Sequence, residues 1–160
     1  MMITRRGALC AAATATALWP AAGSAAPSDD GDDEALLADA DYAAGLAALK
    51  AGDPAVALPR FQAALKRYPQ AANLHNELGF THRKLGRMEA AFDHYKRALA
   101  IEPRHRGAHE YIGEAYLMVG DTANAQKHLQ ALRSICLLPC DELRDLQKAI
   151  AEHRLKTGAR

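Results

Sequence analysis

The chain has 160 residues, 20 of them basic and 19 acidic, a length that suits one domain and excludes a second, catalytic one. The near-neutral charge argues against nucleic acid as a partner, because binding a phosphate backbone needs a basic surface. Hydrophobic residues make up 49% of the chain and aromatic residues only 6%, which disfavours β-sheet with its preference for branched and aromatic side chains. We therefore expect an all-α protein.

Residues 1–25 follow the order of a secretory signal peptide, with Arg5 and Arg6 near the start, an apolar run over residues 8–19 and small residues up to Ala25. The apolar run has about twelve residues, whereas a membrane-spanning helix needs about twenty. We predict cleavage after Ala25. The product would be a periplasmic or secreted chain of about 135 residues with a net charge near −1 and no membrane anchor.

The route of export stays open. Residues 4–9, Thr-Arg-Arg-Gly-Ala-Leu, resemble the twin-arginine export motif, with Ala8 in place of the usual Phe. Ordinary Sec export fits the same segment. Either route leads to an oxidising compartment.

An acidic segment follows the signal peptide. Residues 26–34 hold five carboxylates and no apolar side chain that could nucleate a core. Asp30, Asp32 and Glu34 alternate as the ligands of a calcium loop do, but the later Gly and Glu of an EF-hand are missing. We predict a flexible, solvated linker without a metal ion, and a first helix that begins near residue 35.

The chain repeats itself at an offset of 34 residues, which gives three registers without an insertion: 38–71, 72–105 and 106–139. A fixed period of this length indicates stacked helical hairpins. The eighth and fifteenth positions are always Gly, the twentieth is always Ala and the twenty-fourth is always large. The residues are Gly45, Gly79 and Gly113; Gly52, Gly86 and Gly120; Ala57, Ala91 and Ala125; and Phe61, Tyr95 and Leu129.

Local patterns set the expected helix boundaries. Glycine at the fifteenth position ends each first helix in the left-handed conformation, and Asp53 and Asp121 follow as N-caps of the second. Glycine at the eighth position is expected to face the alanine at the twentieth, so that the helices cross closely. Pro59 lies inside a second helix, where we expect a kink or an early restart. The predicted helices are 35–51, 54–67, 72–85, 88–101, 105–119 and 122–135, with a seventh over 141–156.

The repeated residues resemble the tetratricopeptide repeat over about 100 residues of the chain. The resemblance implies a right-handed solenoid of three helical hairpins in residues 35–139. The apolar pattern of the seventh predicted helix indicates a capping helix and tail in residues 140–160. The third repeat departs from the family at its end, where Leu132 and Leu137 replace a small residue and a Pro. The course of the chain out of that hairpin therefore stays open.

In this family the first helices of the hairpins line a concave groove, and its second, fifth, ninth, twelfth and thirteenth repeat positions can be carried over to this chain. The groove would begin apolar, offer amides and cations in its middle and end acidic. We expect it to bind an extended or helical peptide segment of another protein. Packing between helices is the alternative role for the same residues. The candidate contacts are Tyr42, Leu46, Asn73, Asn76, Phe80, Arg83, Lys84, Glu110 and Glu114.

Cys136 and Cys140 are the two cysteines that remain after removal of the signal peptide. An even number of cysteines in an exported protein favours a disulfide, which here would tie the third repeat to the capping helix. The alternative is a thiol-redox or copper-handling protein, because two soft thiolates can hold Cu(I). We predict a structural disulfide and keep the redox or copper protein as the second functional hypothesis.

The seven histidines raise the question of a metal site. His105 and His109 have the spacing that places two imidazoles on one helical face, but no third ligand accompanies them. His75 and His109 share the fourth repeat position, which favours packing between helices. The sequence also lacks a catalytic nucleophile motif and a phosphate-binding glycine loop. We therefore predict no metal, no cofactor and no enzymatic activity.

Overall fold

The computed structural model describes residues 30–158, with side chains from Glu34 onward. The predicted signal peptide and its cleavage site lie outside the described residues. Between residues 30 and 158 the chain forms eight α-helices and no strand, which confirms the predicted all-α class. The helices are α1 Asp30–Leu37, α2 Ala40–Lys50, α3 Pro54–Leu65, α4 Ala72–Lys84, α5 Met88–Ile101, α6 Arg106–Met118, α7 Thr122–Ile135 and α8 Asp141–Thr157.

Consecutive helices pair into three hairpins, α2 with α3, α4 with α5 and α6 with α7, and each hairpin packs on the next. α8 packs against both α6 and α7, as expected of a helix that covers the last apolar face of a solenoid. The core follows the stack, with a cluster of buried side chains in each hairpin region. This arrangement is the predicted solenoid with its capping helix. No helix between residues 30 and 158 combines the length and the apolar character that crossing a bilayer requires.

The turns inside the three hairpins share one geometry. Gly52, Gly86 and Gly120 have φ values of 82°, 73° and 80°, in the left-handed region that glycine adopts without steric cost. The side chains of Asp53 and Asp121 then accept a backbone N–H in the first turn of the next helix, at 3.1 Å and 3.0 Å. The predicted left-handed glycines and the predicted aspartate N-caps are both confirmed. Because they act locally, the helix boundaries could be predicted from the sequence.

The glycines at the eighth repeat position make room for large side chains rather than for the alanines that we expected. A Cβ at any of these glycines would overlap a ring or a branched side chain. In the third hairpin this side chain comes from α8 and not from α7, so the capping helix fills the space beside the last of these glycines. The contacts are Phe61 against Gly45, Tyr95 against Gly79 and Leu146 against Gly113.

The chain becomes helical earlier than predicted. The expected linker over residues 26–34 is helical from Asp30 onward, and the helix expected to begin near residue 35 is divided before α2. The division has a local cause, because the side chain of Asp39 caps α2 by accepting two backbone N–H groups. α1 is held by Leu36, which is buried in the core of the first hairpin.

α3 continues through Pro59 without the restart that we expected. Pro59 is exposed, so water can satisfy the carbonyl that loses its helical hydrogen bond.

At the end of the third repeat, Leu132 is fully buried in the core that α7 forms with α8. α7 ends at Ile135, and Leu137 is exposed in the short connection to α8.

Candidate protein-binding groove

The adjoining helices α4 and α6 bring together four side chains that we call the Arg83 cluster: Phe80, Arg83, Tyr111 and Glu114. The rings of Phe80 and Tyr111 lie 5.1 Å apart between centroids. The guanidinium carbon of Arg83 lies 5.2 Å from the first centroid and 5.6 Å from the second, within the range of cation–π attraction. Nη1 of Arg83 also forms a 2.9 Å salt bridge with Glu114.

Arg83 is a largely buried cation at the centre of this cluster. Its side chain is only 10% exposed, against 27% for Glu114, and its Nε has no hydrogen-bond partner within the described part of the chain. The ammonium of Lys84 approaches Phe80 as well, at 5.1 Å from the ring centroid. The half-buried ring of Phe80 is therefore close to two cations, Arg83 and Lys84.

Two carboxyl groups beside the cluster have altered proton affinities. Burial raises the pKa of Glu110 to about 7, with a further contribution from the nearby carboxylates of Glu114, Asp145 and Glu142. Burial also raises the pKa of Glu77 to about 7, opposed by a hydrogen bond from Asn76. Neither Glu77 nor Glu110 forms a salt bridge with any described side chain.

The remaining candidate contacts differ in their access to solvent. Tyr42 lies in the core instead of the groove, at 6% exposure and with its ring against Phe61. Asn76 is also buried, at 5% exposure, and its Oδ1 has no partner among the residues described. Asn73 is engaged within the protein, because its Oδ1 accepts a hydrogen bond from His105 at 3.1 Å. Leu46, at 38%, is exposed.

The structure adds two residues that the sequence analysis did not assign to the groove. Glu77 and Tyr111 both occupy the sixth repeat position and are separated by one repeat length. Helix α6 turns Tyr111 towards Phe80, and the pKa of Tyr111 is raised to about 12 by burial and by the carboxylate of Glu110. Extending the expected lining by one residue, from the fifth position to the sixth, would have found both.

The groove continues into an open cavity of about 270 Å³ where α8 approaches α6. Arg83, Glu114 and Met118 line its near side, and the C-terminal half of α8 supplies its far side with Glu152, His153 and Lys156. Met118 is 61% exposed, so an apolar side chain is accessible there. The capping helix therefore adds charged groups to the acidic end of the groove.

Cys136 and Cys140 are joined by a disulfide that connects the end of α7 to the start of α8.

His105 is the N-cap of α6, and its Nδ1 accepts the backbone N–H of Ala108 at 3.1 Å. It therefore lies before the helix and does not share a helical face with His109. Within the described range, no three His, Cys, Asp or Glu side chains are grouped so as to hold a metal ion.

Comparison with known proteins agrees with this geometry. The family model of the tetratricopeptide repeat matches residues 42–105. Residues 42–105 of the chain are therefore similar to tetratricopeptide repeats. No protein of curated function matches it significantly.

The solved structures similar to this chain include two of MamA. A point mutant of MamA is 24% identical, with a TM-score of 0.53, over 65% of this chain and 63% of that structure. MamA from AMB-1 is also 24% identical, with a TM-score of 0.54, over 71% of this chain and 64% of that structure. The chain thus spans less than two thirds of the length of either structure, and the likeness concerns the fold.

Proposed function

We propose that the protein is an exported adaptor or scaffold that binds a peptide segment of another protein in the groove between α4 and α6. The observation that carries the proposal is the Arg83 cluster. A largely buried arginine, two rings in contact and an ion-paired glutamate meet there. Aromatic and arginine side chains are the usual energetic anchors of protein interfaces, and grooves of stacked helices bind extended or helical segments.

The charge of the groove suggests which segment fits. Glu77 and Glu110 are half-buried carboxyl groups, and neither forms a salt bridge with a described side chain. A Lys or Arg side chain of the bound segment would supply the missing charge, and the rings of Phe80 and Tyr111 would contact its aliphatic stem. We therefore expect a segment that carries at least one basic residue.

The test of this function is capture of the partner from a periplasmic extract. The double variant Phe80→Ala with Arg83→Ala should lose the captured protein while its helical circular dichroism stays that of the wild type. Val56→Ala with Arg144→Ala is the matched control, since both residues are exposed and neither lines the groove or the cavity that continues it. Capture that is equal in all three proteins would contradict the groove assignment.

The export of the protein is part of the proposal. It is supported by the order of charged, apolar and small residues in residues 1–25, and a disulfide between Cys136 and Cys140 fits an oxidising compartment. Mass spectrometry of the periplasmic fraction should give a chain that begins at Ala26 and lacks Trp19. A full-length chain in the cytoplasm would contradict this location.

A further inference from the structure

Two pairs of histidines connect the helices of the second and third hairpins. Nδ1 of His75 on α4 lies 3.0 Å from Nδ1 of His94 on α5. One repeat length later, Nδ1 of His109 on α6 lies 2.9 Å from Nδ1 of His128 on α7. These imidazole pairs recur at equivalent places, so their arrangement follows from the repeat.

The hydrogen bonds assign a tautomer to each ring. Nε2 of His75 lies 3.1 Å from the carbonyl oxygen of Pro69, and Nε2 of His109 lies 3.1 Å from that of Pro103. A carbonyl only accepts, so these Nε2 atoms carry the proton and donate it. Nδ1 of His75 then holds a lone pair, which accepts the Nδ1–H of His94. The second pair follows the same pattern.

The first hairpin has a different link at the same two repeat positions. Asp41 and Arg60 form a salt bridge there, with Nη1 and Oδ1 3.2 Å apart. All three hairpins therefore have a polar connection between their helices at one place. The histidine pairs differ from the ion pair because imidazole is the side chain that ordinarily changes charge between pH 5 and 8.

Each imidazole pair can accept one proton without losing its hydrogen bond, but not two. A proton on Nε2 of His94 leaves its Nδ1–H still directed at His75. A second proton, on Nδ1 of His75, would set two N–H groups against each other and place two positive charges about 3 Å apart. The doubly protonated pair therefore has to separate, and the two helices of its hairpin have to move apart.

The surroundings of the pairs oppose protonation further. At the first pair, His82 stacks on His94 with ring centroids 5.3 Å apart, and the nearby charged groups are Arg97, Arg87 and Asp93. At the second pair, Tyr116 stacks on His128, and the nearby charge is Lys127. Asp93 is the one acidic group among these neighbours. The basic side chains repel a proton on the imidazoles, and the neighbouring rings of His82 and Tyr116 supply no negative charge to balance it.

The proton affinities agree with this geometry. Burial lowers the pKa of His75 and of His109, and it lowers the pKa of His94 and of His128 to about 4. A histidine in the unfolded chain has a pKa of about 6.5. Because the folded-state pKa values are the lower ones, the pairs stabilise the fold fully above about pH 6.5, and this contribution is lost as the pH falls towards about 4.

We propose that the two imidazole pairs form an acid-sensitive latch that loosens the second and third hairpins at mildly acidic pH, while the ion pair of Asp41 and Arg60 holds the first. The groove is built mainly from α4 and α6, the helices that carry His75 and His109. A bound segment would then be released on acidification, and this consequence alone rests on the proposed function. The latch itself is a property of the unbound chain.

The test is amide hydrogen exchange of the mature, unbound protein at pH 7 and pH 5, corrected for the intrinsic effect of pH on exchange. We expect protection of residues 72–135 to fall at least tenfold more than that of residues 40–65. The decisive variant carries the link of the first hairpin in the other two, as His75→Asp with His94→Arg and His109→Asp with His128→Arg. In this variant the protection of residues 72–135 should fall no more than that of residues 40–65. An equal fall in both segments of the wild type, or a difference between the segments that persists in the variant, would overturn the latch.

A second measurement on the wild type keeps the latch testable should that variant fail to fold. Nitrogen-15 NMR of the imidazoles at pH 7 should show His75 and His109 protonated on Nε2, and His94 and His128 protonated on Nδ1. All four should titrate below the ordinary histidine range. Titration of the pairs near pH 6.5, or the opposite tautomers, would overturn the proposal. Neither readout involves a bound segment, so failure of the latch is distinguishable from failure of the groove.

Discussion

The guanidinium of Arg83 lies 2.9 Å from the carboxylate of Glu114, so that an ion pair joins the first helix of the second repeat to that of the third. These helices also carry the rings that pack beside the pair, Phe80 and Tyr111. The salt bridge therefore connects α4 to α6 beside the rings of the groove. The contribution of this ion pair to the free energy of unfolding can be measured.

Removing Glu114 should leave the Arg83 cation largely buried without its counterion. We expect Glu114→Ala to reduce the free energy of unfolding by about 1–3 kcal/mol, measured by urea denaturation. Adding Arg83→Met should recover part of the loss, because the charge is gone and the apolar stem remains. Asp141→Ala is the control, since its ion pair with Arg144 is exposed and should contribute about 0.5 kcal/mol or less. Equal losses in the two single variants would contradict the role of Arg83.

Two helical glycines should respond in opposite ways to the same substitution. A Cβ at Gly79 would overlap the ring of Tyr95, whereas a Cβ at Gly107 would meet Asn76 Nδ2 at an ordinary 3.5 Å. We expect Gly79→Ala to lower the free energy of unfolding by about 1–3 kcal/mol. Gly107→Ala should be neutral or raise it by up to about 1 kcal/mol, because alanine is the better helix former. Thermal unfolding checks both, and a loss of stability at Gly107 equal to that at Gly79 would refute the packing argument.

Glu110 should make the stability of the protein depend on pH near neutrality. Its folded-state pKa of about 7 lies above the ordinary carboxyl value, so its favourable contribution is present at low pH and is lost as the pH rises through about 7. Relative to wild type, Glu110→Gln should therefore unfold at a higher urea concentration at pH 8 and show a smaller difference at pH 5. Glu89→Gln, at an exposed site on α5, is the control. A difference for Glu110→Gln that does not change with pH would contradict the burial of its carboxyl group.

The disulfide separates the adaptor from the second hypothesis, a thiol-redox or copper-handling protein. A structural bridge should have a reduction potential below about −300 mV, and the reduced chain should bind Cu(I) weakly in competition with a chelating dye. Replacing both Cys136 and Cys140 by Ser should lower the free energy of unfolding by about 2 kcal/mol and leave partner capture unchanged. Tight one-to-one Cu(I) binding, or a markedly more oxidising potential, would favour the second hypothesis instead.

The helices could be predicted from the sequence because their ends are set by local chemistry. Gly52 and Asp53, for example, end one helix and cap the next through contacts with residues close in the chain. α1 was missed for the opposite reason. Its composition is that of a linker, and its order depends on one buried side chain, Leu36, that packs against a distant part of the chain.

The groove could be predicted only in part. The repeat register assigned Phe80, Arg83 and Glu114 to one groove, because equivalent positions on stacked helices face the same way. In the structure Arg83 contacts both other side chains. The register did not predict that Tyr42 is buried, since this depends on α1, which places Leu36 in the same core as Tyr42.

His75 and His109 were predicted to pack between helices, and they do. Their partners His94 and His128 were not predicted, because contacts across a hairpin depend on the rotation of both helices about their axes.

Site-specific photocrosslinking in the periplasm tests the central claim most directly. A photoreactive amino acid at position 118 would lie at the end of the groove, where Met118 is 61% exposed. Position 56 on α3, where Val56 is 52% exposed, offers similar access to solvent away from the groove. We predict that one protein is crosslinked at position 118, through a segment that contains a basic residue, and that none is crosslinked at position 56. Equal crosslinking at both positions, or crosslinking at position 56 alone, would contradict binding in the groove.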